Sequence, residues 1–199
     1  MNKKFATHST VCFGESKYLI FLFFSFFLIS CTYNIQESDP NEKQNLANSV
    51  RRSAAFKIKN ETSLIPCGTG GQMMNQIQML ALSFFYYDLP TMEEARELVI
   101  YAAQKLANEI NDEPKIHPYL YQYPFSPTHT EIYIFVQNKK NSKIPPDYIS
   151  VVSLSGGMVK YDIDNPKTSR LITIHRETYQ EALEKLTSSK VEVLQASTL

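Results

Sequence analysis

The chain has 199 residues, 43% hydrophobic and 20% charged, which suits one soluble globular domain of ordinary size plus a tail. Twenty basic side chains balance twenty acidic ones, so no strong field favours nucleic acid, and nucleic acid is set aside as a partner. Only three cysteines are present, Cys12, Cys31 and Cys67, so a disulfide framework is not expected to hold the fold.

From Tyr18 to Ser30 the chain is uncharged and strongly apolar, with Lys3, Lys4 and Lys17 ahead of it. A positive lead, a short apolar core and a small residue before a cut are the parts of an export signal. A membrane-spanning helix takes about 20 apolar residues. This run is shorter, and polar Thr32, Asn34 and Gln36 follow it closely. Its close, Leu28-Ile29-Ser30-Cys31, resembles the lipobox of bacterial lipoprotein precursors. The resemblance implies that the signal, 1–30, is removed, that the Cys31 thiol is acylated, and that Cys31 becomes the first residue of the mature chain. It also implies attachment to a membrane of the bacterial cell envelope through the lipid on Cys31. Cys12 then leaves with the signal, and Cys67 has no partner within the mature chain.

Residues 31–55 are expected to form a lipid-anchored flexible tether, and 56–199 a single domain. Gln36 to Asn45 is polar with little to bury, the composition of a segment without fixed structure. Such a tether would set the domain on the order of 25–30 Å from the lipid. Between Thr62 and Tyr87 there is no charged side chain. Within this stretch Met73, Ile77, Leu80, Ala81 and Phe84 recur at helical spacing and predict a helix over about 72–87. Thr91 and Glu94 form a capping box after Pro90. Met92, Ala95, Val99, Ala102, Leu106 and Ile110 then step along one face of a second helix, which Pro114 ends. The short link between the two predicts an antiparallel helical hairpin.

His117 to Pro127 carries Tyr119, Tyr121, Tyr123 and Phe125 among prolines that forbid helix. Thr130 to Val136 alternates, with Ile132, Ile134 and Val136 on one face and Glu131, Tyr133 and Phe135 on the other, as a half-buried strand does. Tyr148–Leu154 and Met158–Ile163 flank Ser155-Gly156-Gly157, a hairpin signal. Asp164-Asn165-Pro166 turns the chain into a strand over 170–175. Thr178 and Glu181 form a second capping box, opening a helix with Tyr179, Ala182, Leu183 and Leu186 on one face; 191–194 is expected to add an edge strand or fray. Helices, consecutive strands and a final helix give an α+β fold: a single antiparallel sheet, a helical hairpin before it and a C-terminal helix. The stretch from His117 to Leu186 resembles uncharacterised small bacterial lipoproteins, a likeness that implies no activity.

Chemistry has few footholds. Cys67, placed before the predicted helix, would have its thiolate stabilised by the helix N-terminus, and His117, His129 or His175 could serve as base. A cysteine early and a histidine late resembles the order in papain-like hydrolases, but the chain has no Trp and lacks the local signature. Cys67 and His117 are therefore weak catalytic candidates for a lipid-anchored thiol hydrolase. Gly68-Thr69-Gly70-Gly71 lacks the Lys of a phosphate loop. Isolated histidines, and Asp162 and Asp164 at a strand end, predict no metal site, and no cofactor is implied. The expected function is a binding or structural module. Tyr119, Tyr121, Tyr123 and Phe125 are its candidate binding residues, for a protein, peptide or glycan of the envelope.

Overall fold

The computed structural model describes residues 41–138, 144–168 and 170–196, with side chains described up to residue 189. The expected export signal, Cys31 and the expected tether up to residue 40 lie outside the described residues.

The first element is a helix, α1 (Glu42–Glu61). It takes in residues expected to be tether: Ala47, Val50, Arg51, Ala54, Ala55 and Ile58 step along one face and are buried. The domain thus begins some fourteen residues earlier than the composition suggests, because small alanines bury a helix face without raising its apolarity much.

Next come β1 (Ile65–Gln72) and β2 (Met79–Tyr86), an antiparallel hairpin where a helix over 72–87 was predicted. The physical reason lies in β2. Leu80, Leu82, Phe84 and Tyr86 alternate as well as they fit a helical face, and a strand with paired neighbours on both sides tolerates an all-apolar run. Helix α2 (Met92–Asn111) follows with the expected capping box: Glu94 N–H donates to Thr91 Oγ1 at 3.2 Å, and Thr91 N–H donates to Glu94 Oε2 at 2.8 Å. Its neighbour in the helical layer is α1 rather than residues 72–87. Lys57 pairs with Glu109, and Ser53 Oγ donates to the same carboxylate at 2.6 Å.

Two short 3-10 turns, Pro114–Tyr119 and Pro127–His129, carry the chain into β3 (Thr130–Val136). Then come β4 (Ile149–Ser155), β5 (Met158–Asp164), β6 (Leu171–Thr178) and α3 (Tyr179–Ala196). The expected Gly-Gly turn joins β4 to β5, with Gly156 and Gly157 at φ +56° and +74°, a conformation glycine adopts without strain. The second capping box opens α3, and 191–194, expected to add an edge strand or to fray, is part of that helix.

The six strands form one sheet in chain order. All neighbours are antiparallel except β2 and β3, which run parallel because α2 carries the chain back between them. The fold is α+β, one mostly antiparallel sheet with α1 before it, α2 between its second and third strands and α3 at its end. Leu82, Ile132, Leu154 and Val159 form one cross-sheet row, and Phe84, Ile134, Val152 and Tyr161 the next; both rows are buried under the helices. The alternate residues face the other way, and there Phe85, Tyr133 and Phe135 stand half-buried. Tyr133 and Phe135 stack with centroids 6.3 Å apart, and Phe85 lies 6.4 Å from Phe135.

Candidate functional site

The tyrosine-proline stretch is held by its own polar groups. Asn111, the last residue of α2, accepts from Phe125 N–H at 2.7 Å and donates to Phe125 O at 3.0 Å, which turns the chain back onto the helix end. His117 donates through Nε2 to Asn111 O at 2.8 Å, so that ring nitrogen is occupied by structure. The Tyr123 ring lies against the His117 ring with centroids 4.3 Å apart. Tyr119 O and Tyr121 N–H bond to Ile77 N–H and O at 2.7 and 3.0 Å, joining the stretch to the loop that closes the β1–β2 hairpin.

The four candidate binding rings therefore divide. Phe125 is only 2% exposed and is a core residue; it has no face for a ligand. Tyr119 is half-buried, and its hydroxyl donates to Glu42 Oε2 at 2.8 Å. Tyr121 and Tyr123 are 61% and 59% exposed. Beside them stands a residue the sequence did not single out, Met74, which is 91% exposed in the hairpin loop. Lys43, in the first turn of α1, donates through Nζ to Met74 O at 2.7 Å and to Asn75 O at 3.2 Å. Met74, Tyr121 and the start of α1 thus share one end of the domain, and Tyr123 follows two residues after Tyr121 on the same segment. The sequence carried no signal for Met74, because Gly70 and Gly71, which read as a lead-in to a helix, are paired strand residues just before the loop.

The catalytic candidates are not assembled into a site. Cys67 lies within β1 at an irregularity between Pro66 and Gly68, not at a helix N-terminus. The dipole argument for a reactive thiolate falls with the helix, and burial pushes the thiol up from its ordinary value. Cys67 is five residues of strand, about 17 Å, from the hairpin end beside which His117 lies. His129 packs edge-on against Phe125, and His175 lies against Tyr161. Gly68 and Gly70 are strand residues, where an added Cβ would crowd Ser83 and Ala81 at 3.3 Å. Asp162 accepts from Thr173 Oγ1 at 2.6 Å. No group of three metal-ligating side chains occurs among the described residues. A shallow cavity of about 270 Å³ opens between the ends of β3 and β4, lined by Phe135, Gln137, Ile144, Ser150 and Asp164 among others. Among the described residues its one carboxylate, Asp164, has no second titratable group on the lining to work with.

The strongest electrostatic feature is buried under the helices. The Glu177 side chain, 2% exposed, faces inward from β6 and collects Arg96 Nε at 2.7 Å, Lys185 Nζ at 2.6 Å and the Tyr161 hydroxyl at 2.5 Å. Burial alone would raise its carboxyl; the hydrogen bonds from Lys185, Tyr161 and Arg96 outweigh this and bring it down to about 2. Burial, and the acceptor beside it, push the Tyr161 phenol far above its ordinary value. This cluster ties α2, β5, β6 and α3 together, with every bond directed at protein.

No family model matches the chain, and no curated protein or solved structure is significantly similar to it.

Proposed function

We propose that the chain is a lipoprotein of the bacterial cell envelope, held in a membrane by lipid on Cys31, whose domain acts as a binding or structural module. One observation carries the reading: the uncharged Tyr18–Ser30 run, led by lysines, closes on Leu28-Ile29-Ser30-Cys31. The character of the domain supports the second half. Among its exposed aromatic and apolar groups are Met74, Tyr121 and Tyr123, which stand on a packed scaffold. Its titratable cluster at Glu177 is satisfied internally, and Cys67 has lost the helix that would have activated it. Surfaces of this kind bury against a partner rather than carry out chemistry.

The test is incorporation of a labelled fatty acid in a bacterial host. Wild-type protein takes up label and starts at Cys31; Cys31→Ser accumulates as an unlabelled precursor. Purified wild-type protein that begins at Met1 and carries no lipid refutes the reading.

A further inference from the structure

We infer that the end of the domain formed by Met74, Tyr121 and Tyr123 seats in the headgroup interface of the bilayer that carries the lipid on Cys31. The inference rests on the lipoprotein reading above and adds to it the face that meets the membrane.

Chemistry, support and position point the same way. Met74 is an unbranched apolar side chain almost wholly in solvent, and two exposed tyrosines stand on the neighbouring segment. Tyrosine pairs an apolar ring with a polar tip and concentrates at membrane–water interfaces for that reason. The support is firm. Ile77 is fully buried in the hairpin loop, Gln78 N–H closes the loop on Gln72 O at 2.9 Å, and Lys43 holds the Met74 and Asn75 carbonyls. An apolar group carried on a fixed loop loses little conformational freedom on insertion.

Position decides the occupant. Lys43 lies in the first turn of α1, so the chain that leads back to Cys31 leaves the domain beside Met74. Ten residue steps lead from Cys31 to Asn41, and ten steps span about 35 Å at most. A domain of this length measures on the order of 40 Å across. A lipid on Cys31 would therefore bring the Met74 end to the bilayer before the opposite end, which lies about a domain's width further away. Lys43 and Lys115 near this end are outnumbered by Glu42, Asp112 and Glu113, so no net positive charge draws it to anionic headgroups. The contact is thus apolar and aromatic, indifferent to headgroup charge and to salt.

The chain contains no tryptophan, so a single substitution supplies a lone emitter. Met74→Trp and, separately, Tyr121→Trp are expressed as the full chain with its signal, purified with lipid attached and reconstituted in phosphatidylcholine vesicles brominated near the headgroups. Leu171→Trp is the control; Leu171 is 52% exposed on β6, five strand spacings or about 24 Å across the sheet from β1. Insertion of about 5–10 Å places positions 74 and 121 within reach of bromine, so emission there falls roughly twofold against unbrominated vesicles while position 171 keeps its emission, at low and high salt alike. Lipid-bearing, vesicle-bound protein in which positions 74 and 121 are quenched no more than 171 overturns the docking and leaves the lipoprotein reading standing. Emission at 74 that shifts to the blue with protein concentration in detergent, without bromine quenching, overturns it in favour of a second copy of the chain. Protein that carries no lipid and ignores vesicles overturns both.

Discussion

Replacing Glu177 by Gln tests whether the buried cluster holds the fold. The substitution keeps shape and one acceptor but removes the charge that three donors share, leaving Arg96, 11% exposed at its side chain, without its counter-ion. The carboxyl falls from 4.5 to about 2 in the folded protein, which by linkage is worth about 3 kcal/mol at neutral pH. Removal of one partner from a buried ion pair costs a similar 3–5 kcal/mol. Urea unfolding followed by circular dichroism at pH 7 should show Glu177→Gln less stable by about 3 kcal/mol at unchanged slope, with the thermal midpoint lower by roughly 6–12 °C. The sign with pH follows from the depressed value. The stabilisation is complete above the unfolded carboxyl's 4.5 and is lost as pH falls through about 2, so wild type and variant converge across that window. A variant within about 0.5 kcal/mol of wild type at pH 7, or a gap that persists unchanged down to pH 2, refutes the reasoning.

A chain starting at Asp39 should fold, whereas one starting at Arg52 should lose several kcal/mol or fail to fold, because it discards buried Ala47, Val50 and Arg51 with the first half of α1; proteolysis and circular dichroism distinguish the two. In the mature protein Cys67 should be alkylated slowly at neutral pH, with a rate that keeps climbing through and beyond the ordinary thiol range, and Cys67→Ala should leave complementation of a deletion strain intact. Rapid modification at pH 7, or a folded Cys67→Ala protein that fails to complement, would favour the thiol-hydrolase reading over the binding module.

How much of this was legible depends on whether a local signal had a rival. The α2 and α3 capping boxes, the Gly156-Gly157 turn and the alternation of β3 each admit one structure, and each is found. The 72–87 stretch has two readings, since Leu80, Ala81 and Phe84 satisfy a helical period while Leu80, Leu82 and Phe84 satisfy a strand period. Tertiary context settles it: β2 sits between two paired neighbours and needs no polar face toward water. Helix α1 was hidden by composition, its buried face being built from Ala47, Ala54 and Ala55 among asparagines and serines. The Met74 end was hidden for a different reason. Its parts are some fifty residues apart in sequence and meet only because Ile77 pairs with Leu120.

The parallel pairing of β2 with β3 divides the sheet into two pieces of unlike history. The β1–β2 hairpin and the β3–β6 meander each pair strands that follow one another directly in the chain, so their contacts are near in sequence. The join between them pairs Leu80 with Thr130 and Tyr86 with Val136, fifty residues apart, and it cannot form until α2 has been laid across the gap. Chain closure over that span costs entropy before any contact repays it. The search for the native state is therefore longest at this one seam. As the chain leaves the ribosome, the hairpin waits with one bare edge at β2 until the third strand arrives to cover it.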